Sequence, residues 1–146
     1  MERVHVFRDD ALGSHDAVGL VELLHAGQVS SAELVEAAIA RITEVDPALN
    51  AVAVADHERA RARARQPAPG YFSGVPTLLK DNVEVAGLPT QHGTDAFASG
   101  PAAQHGDVAR LFEALGTVTL AKTRMSEYVN YHNEARINGC LAVMKR

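Results

Sequence analysis

Apolar residues near the start of the chain recur at the three- and four-residue spacing of a helix that buries one side. Val18, Val21 and Leu24, with Leu20 and Leu23 beside them, form a broad stripe behind Asp16, whose carboxylate can accept the free amides of a first turn, and Gly27 offers a left-handed stop. A second helix has the better-signed start. Ser30 and Glu33 stand at capping-box spacing, with Val29 and Leu34 at the staple positions on either side. Its stripe continues through Val35, Ala38, Ile39, Ile42 and Val45, and Pro47, which has no N–H to donate, sets the expected end. These two helices read as scaffold. Residues 51–55 read as a short strand, and Asp56 opens a third helix running to about Gln66. In it Arg59, Arg61, Arg63 and Arg65 fall on every second position, a spacing that scatters charge around a helix and aligns no face.

The pattern changes after the turn-rich stretch Gln66-Pro67-Ala68-Pro69-Gly70. Gly74-Val75-Pro76-Thr77-Leu78-Leu79-Lys80-Asp81-Asn82 reads as an apolar strand running into a polar end. Gly87-Leu88-Pro89-Thr90 and Gly93-Thr94 then mark a long loop to about Gly106, of the kind that lines sites. Asp107 is expected to cap a helix with Val108, Leu111, Phe112 and Leu115 toward the core. Gly116 ends it, and residues 118–121 read as a buried strand. Strand, loop, helix and strand in that order predict parallel strands joined by a crossover helix. The fold class is therefore α/β, with the amino-terminal helices packed on a partial mixed or parallel sheet.

Composition narrows this picture only a little. The 146 residues with 47% apolar content suit one domain, but 5% aromatics, no Trp and abundant alanine predict a thin core. A net charge of −4 gives no general pull toward nucleic acid or an anionic membrane, and neither is expected as a partner. Cys140 is the only cysteine, so no disulfide can form within the chain, in keeping with a reducing compartment. No signal-like apolar core opens the sequence and no run approaches the ~20 apolar residues of a membrane span, so a soluble, cytoplasmic protein is expected.

Short motifs mostly dissolve on inspection. Gly116-Thr117-Val118-Thr119-Leu120-Ala121-Lys122-Thr123 comes within one residue of a phosphate-binding loop, but its β-branched middle should be extended strand and cannot curl around an anion. The seven histidines lack metal-ligand spacing: His57-Glu58 has no second histidine at helical distance. Neither a metal nor an organic cofactor is expected. No G-x-S-x-G elbow is present. Lys80, judged on pattern alone, is an ordinary exposed lysine at a sheet edge.

Several separated blocks, in order between Ser30 and Tyr128, nevertheless resemble the amidase-signature family. Ser-Ala-Glu-Leu-Val with Ala-Ile-Ala-Arg-Ile and Pro-Ala-Leu-Asn-Ala-Val is similar to the family's early helix pair. Gly-Val-Pro-Thr-Leu-Leu-Lys-Asp-Asn resembles the block that holds its catalytic lysine, and is the most specific match. Ala-Gly-Leu-Pro-Thr, Gly-Thr and Leu-Ala-Lys-Thr-Arg-Met-Ser-Glu-Tyr continue the likeness. The resemblance implies that residues 1–128 form the amino-terminal part of an incomplete amidase-signature fold, and that 129–146 are a divergent, disordered tail.

For function, the resemblance implies hydrolysis of carboxylic amides by a Ser-Ser-Lys triad with Lys80 as base and a small-molecule amide as substrate. A buried lysine favours its neutral form and can take a proton through a bridging serine, so that a second serine attacks the carbonyl. The family's serines lie in a Gly/Ser-rich stretch that also builds the oxyanion hole, and this sequence contains no such stretch. Ser99 and Ser126 match no catalytic position and read as loop or helix-start serines. Lys122 inherits no role. The expectation is a reading frame cut or shifted after about Tyr128, leaving a chain inactive alone. The alternatives are a binding fragment whose protein partner, a homologue or an amidotransferase-type assembly, covers exposed core, or a product without function.

Overall fold

The computed structural model describes residues 4–96 and 98–126. Seven elements follow one another: α1 (Ala17–His25), α2 (Ser31–Leu49), β1 (Val52–Ala55), α3 (His57–Arg65), β2 (Pro76–Lys80), α4 (Asp107–Ala114) and β3 (Val118–Thr123). The strands form one mixed sheet in the order β1-β3-β2. β3 is central, antiparallel to β1 and parallel to β2, with α4 as the crossover. The α/β class and the parallel pair expected from the sequence are both present. Cys140 and the tail beginning at residue 129 lie outside the described residues.

Local signals account for the helix starts. Asp16 accepts the Gly19 amide at 2.8 Å, and the Ser30–Glu33 capping box is complete: Ser30 Oγ accepts the Glu33 amide while Glu33 accepts the Ser30 amide at 2.8 Å. Two ends differ from expectation. α2 passes through Pro47 to Leu49, because Asp46 secures that last turn: its backbone oxygen accepts from Asn50, and its carboxylate accepts the Ala51 and Val52 amides at 2.7 and 2.9 Å. Proline removes only one bond from a helix whose next amides are held this way. At α4 the cap is Gly106, and Asp107 is the first helical residue, its carboxylate turned to Arg110 at 2.5 Å.

Three clusters make the core. Val35, Ala38 and Ile39 of α2 and Ala60 and Ala64 of α3 meet Val118 and Leu120 on one side of β3. Leu20 and Val21 of α1 meet Leu34 and Val75. On the opposite side of the sheet, Leu79, Val85, Leu88 and Ala109 pack with Val54 and Phe112. Alanines at 60 and 64 let α3 approach the sheet closely, but leave little area per residue to bury. The α4 face is rotated from the expected one. Ala109 is buried and Phe112 half-buried, whereas Val108 and Leu111 are exposed, because the crossover lies over Leu79 and Val85 on its Ala109 side. Val18 of α1 is likewise exposed.

The arginines of α3 reach different neighbours, as their spacing requires. Arg59 donates to Asp56 and to the Ala86 carbonyl, Arg61 to Glu36 and Glu58, and Arg63 to Glu113. Asp56 precedes the helix but makes no side-chain cap, since its carboxylate is occupied by Arg59.

The two acidic or polar helix starts should separate in urea unfolding. Ser30→Ala should cost about 1 kcal/mol through loss of the box, while Asp107→Ala, which removes only an exposed pair, should stay within about 0.5 kcal/mol. Equal losses would contradict the capping assignment.

Candidate active site

Lys80 is the last residue of β2, directly across from Thr123 of β3. Successive strand residues point to opposite faces. Leu79 enters the core under α4, so Lys80 shares the other face with Leu78. On that face Leu78, Thr123, Val52, Ile42 and Leu49 line an apolar groove of about 510 Å3 between α2 and the sheet. Lys80 itself is exposed. The burial that would favour its neutral form is not supplied by the described residues.

The buried lysine is Lys122, with no exposed surface. It lies between Val54 and Leu79, its register partners on either side, and so on the α4 face of the sheet. Its Nζ donates to the Pro89 carbonyl at 2.7 Å and to Thr90 Oγ1 at 2.8 Å, and stands 3.1 Å from Asp81 Oδ1. Asp81 is 2% exposed, and its carboxylate also accepts the Gly93 amide at 3.2 Å. Burial pulls the Lys122 ammonium below the usual lysine value of 10.5, while the hydrogen bond and charge of Asp81, helped by Glu84, push back.

These contacts place the loop that follows β2. Residues 89–93 cross the carboxyl ends of β2 and β3, held by Lys122 from one strand and Asp81 from the other. Gly93 has φ +72° and lies so close to the next turn of chain that a Cβ there would sit 2.5 Å from the Met125 carbonyl oxygen. Only glycine fits both the angle and the approach. Asp81, Gln91, Gly93, Thr94, Asp95, Arg124 and Met125 enclose a polar pocket of about 70 Å3.

Ser99 and Ser126 do not join Lys80 as a catalytic set. Ser126 is half-buried beyond the end of β3, with its backbone against Gly93, and Ser99 lies in the loop before α4, its hydroxyl buried without a partner among the described residues. Among the described residues no group of three His, Cys, Asp or Glu could hold a metal ion. No helix among them is long and apolar enough to cross a membrane. Sequence reasoning missed the Asp81–Lys122 pair. Its signal was a lone lysine directly after the strand-like run Val118-Thr119-Leu120-Ala121, a position where charge needs a buried partner.

Comparison with known proteins agrees with this architecture. The Amidase family model matches residues 33–135. The amidase-family protein AmiC of Mycobacterium leprae is 49% identical over 128 residues, covering 88% of this chain and 27% of its own length. The 6-aminohexanoate-cyclic-dimer hydrolase of Paenarthrobacter ureafaciens is 38% identical over 118 residues, covering 79% of this chain and 24% of its own. Among solved structures, a 6-aminohexanoate cyclic dimer hydrolase superposes with a TM-score of 0.72 at 33% identity, over 83% of this chain and 25% of that one. The chain belongs to the amidase-signature family and spans about a quarter of the length of these relatives.

Removing one member of the buried pair should cost far more than removing both. Asp81→Asn should lose about 3–5 kcal/mol at neutral pH in denaturant unfolding, and Asp81→Asn with Lys122→Met should recover most of it. The loss in Asp81→Asn should also shrink as pH rises toward 10.5. A lysine whose folded pKa is depressed binds fewer protons folded than unfolded in that window, so stability rises with pH there. A pH-independent loss would contradict the assignment.

Proposed function

We propose that this chain supplies the proton-accepting lysine of an amide hydrolase acting on small carboxylic amides. Lys80 Nζ would take the proton of a bridging serine, which in turn takes that of a second serine; the second Oγ attacks the carbonyl carbon. The C–N bond then breaks, the leaving nitrogen receives the proton, and water releases the acyl group from the serine. The observation that carries this reading is the position of Lys80, in the block most similar to the family's lysine block, at the carboxyl end of a parallel strand beside its partner β3. Ligand sites of open α/β sheets gather at that end.

Both serines and the oxyanion hole must come from polypeptide outside these 146 residues, whose sequence has no Gly/Ser-rich stretch. Such polypeptide would also bury Lys80, which favours the neutral amine a base needs. The lone cysteine fits a cytoplasmic setting. A second reading, a fragment that binds a protein partner, draws support from the apolar groove and from exposed Leu78, Val108 and Leu111. A monomer in size-exclusion chromatography that binds no hydrophobic dye would argue against it.

The purified chain should release no ammonia from simple amides, with or without Lys80→Ala. Turnover that vanishes in Lys80→Ala would overturn the claim that the chain lacks part of its machinery. Fused to the portion of the AmiC relative that it does not match, it should hydrolyse amides, and Lys80→Ala should then lower kcat by at least about a hundredfold, the scale of general acid–base catalysis. An active fusion indifferent to Lys80→Ala would rule out Lys80 as the base.

A further inference from the structure

A carboxylate directly follows the proposed base, and this is a chemical liability. An anion within about 4–6 Å of an amine favours its charged form, and a lysine must be neutral to accept a proton. Asp81, the next residue along the chain, would be such an anion if its carboxylate turned toward Lys80. The structure shows why it is not. Asp81 turns away from the face of Lys80 and is buried against Lys122 at 3.1 Å, with the Gly93 amide on its other oxygen. Lys122 is in turn fixed by Pro89 and Thr90.

The sheet register supports the same division. Thr77 pairs with Thr119, but after an irregularity Leu78 pairs with Ala121, so one residue of β3 is skipped. Carried on without that irregularity, the ladder would set Lys80 directly across from Lys122. With it, Lys80 meets Thr123 and Lys122 meets Leu79, so the two amines lie on opposite faces.

We infer that Lys122 is a positioning residue for the reaction proposed above: it sequesters the Asp81 carboxylate on the α4 face and so leaves Lys80, on the other, without an ionic partner among the described residues. This rests on Lys80 being the base, but the charge division can be tested apart from hydrolysis. Other charged groups near the pair are Glu84 after β2, Asp95 in the loop, and Arg124 after β3. Lys122 is the cation seen in contact with Asp81 among the described residues, at 3.1 Å.

The test is competitive acylation with trace acetic anhydride across pH 6–11 on the 146-residue chain, read by peptide mass spectrometry, with circular dichroism to confirm folding. In the wild type Lys80 should react and Lys122 should be protected. In Lys122→Met the freed Asp81 should capture Lys80, whose acylation at neutral pH should slow about two- to threefold, with its profile moved to higher pH, the scale of pairing at an exposed lysine. Asp81→Asn combined with Lys122→Met should restore the wild-type profile, which a purely structural loss would not do. If Lys122→Met does not fold, the folded double variant still decides: sequestration requires its Lys80 profile to equal that of the wild type. A double variant in which Lys80 reacts faster would show that Asp81 already acts on Lys80, and would overturn the inference. So would a folded Lys122→Met with an unchanged profile.

Discussion

Two opposite charges taken out of water at one end of a small sheet constrain the rest of the site. The desolvation of Asp81 and Lys122 costs several kcal/mol per ion, and their contact, together with the hydrogen bonds from Gln91 and Gly93 and to Pro89 and Thr90, offsets it. Residues 89–93 have no helix or extended ladder of their own, only a single antiparallel bridge between Pro89 and Pro101. Their place across the strand ends rests on that bridge, on these few polar contacts and on the close approach of Gly93 to Met125. The carboxyl end of the parallel pair, where Lys80 emerges, is thus built around an ion pair more than around apolar packing.

The apolar packing is organised by β3. Five of its six residues, Val118 to Lys122, are buried, because helices α2 and α3 cover one side and α4 with its preceding loop covers the other. Such a strand should read as continuously apolar, and its charged exception, Lys122, is the residue on which the loop hangs. The same arrangement leaves other surfaces uncovered. Leu78 and the groove beside it on the α2 side, and Val108 and Leu111 on the outside of α4, are apolar groups without cover among the described residues. They occur in a chain spanning about a quarter of the length of its relatives.

What was legible in the sequence was local. The Ser30–Glu33 box, the Asp16 cap and the alternation of β2 and β3 with a crossover between them involve residues within a turn or a strand of each other, and they are found as read. Pro47 misled because the effect of a proline depends on what secures the next amides, here Asp46. The α4 face was misjudged because the large residues Val108 and Leu111 outweigh Ala109 in the apolar pattern, and only contact with Leu79 and Val85 chooses Ala109 and Phe112. The lysine block was legible through resemblance; the exposure of Lys80 was not, since burial depends on what surrounds a strand end. Lys122 and Asp81 are 41 positions apart, and no periodicity links them.

The skipped residue in the β2–β3 ladder is the least legible feature and the one with the sharpest chemical consequence. Strand parity decides which face a side chain takes, so adding or removing one residue from a ladder exchanges the two faces. Thr77 and Thr119 are aligned, and Lys80 and Lys122 are the same three residues further along each strand. A regular ladder would therefore bring two ammonium groups side by side on one face, with Asp81 on the other. That arrangement repels the cations and strands the anion, and both costs grow with burial. The irregularity between Thr77 and Leu78 removes the conflict by giving Lys122 the face of Asp81 and leaving Lys80 its own. One residue of slack in the backbone thus separates a buried, ion-paired lysine from an exposed one at the strand end.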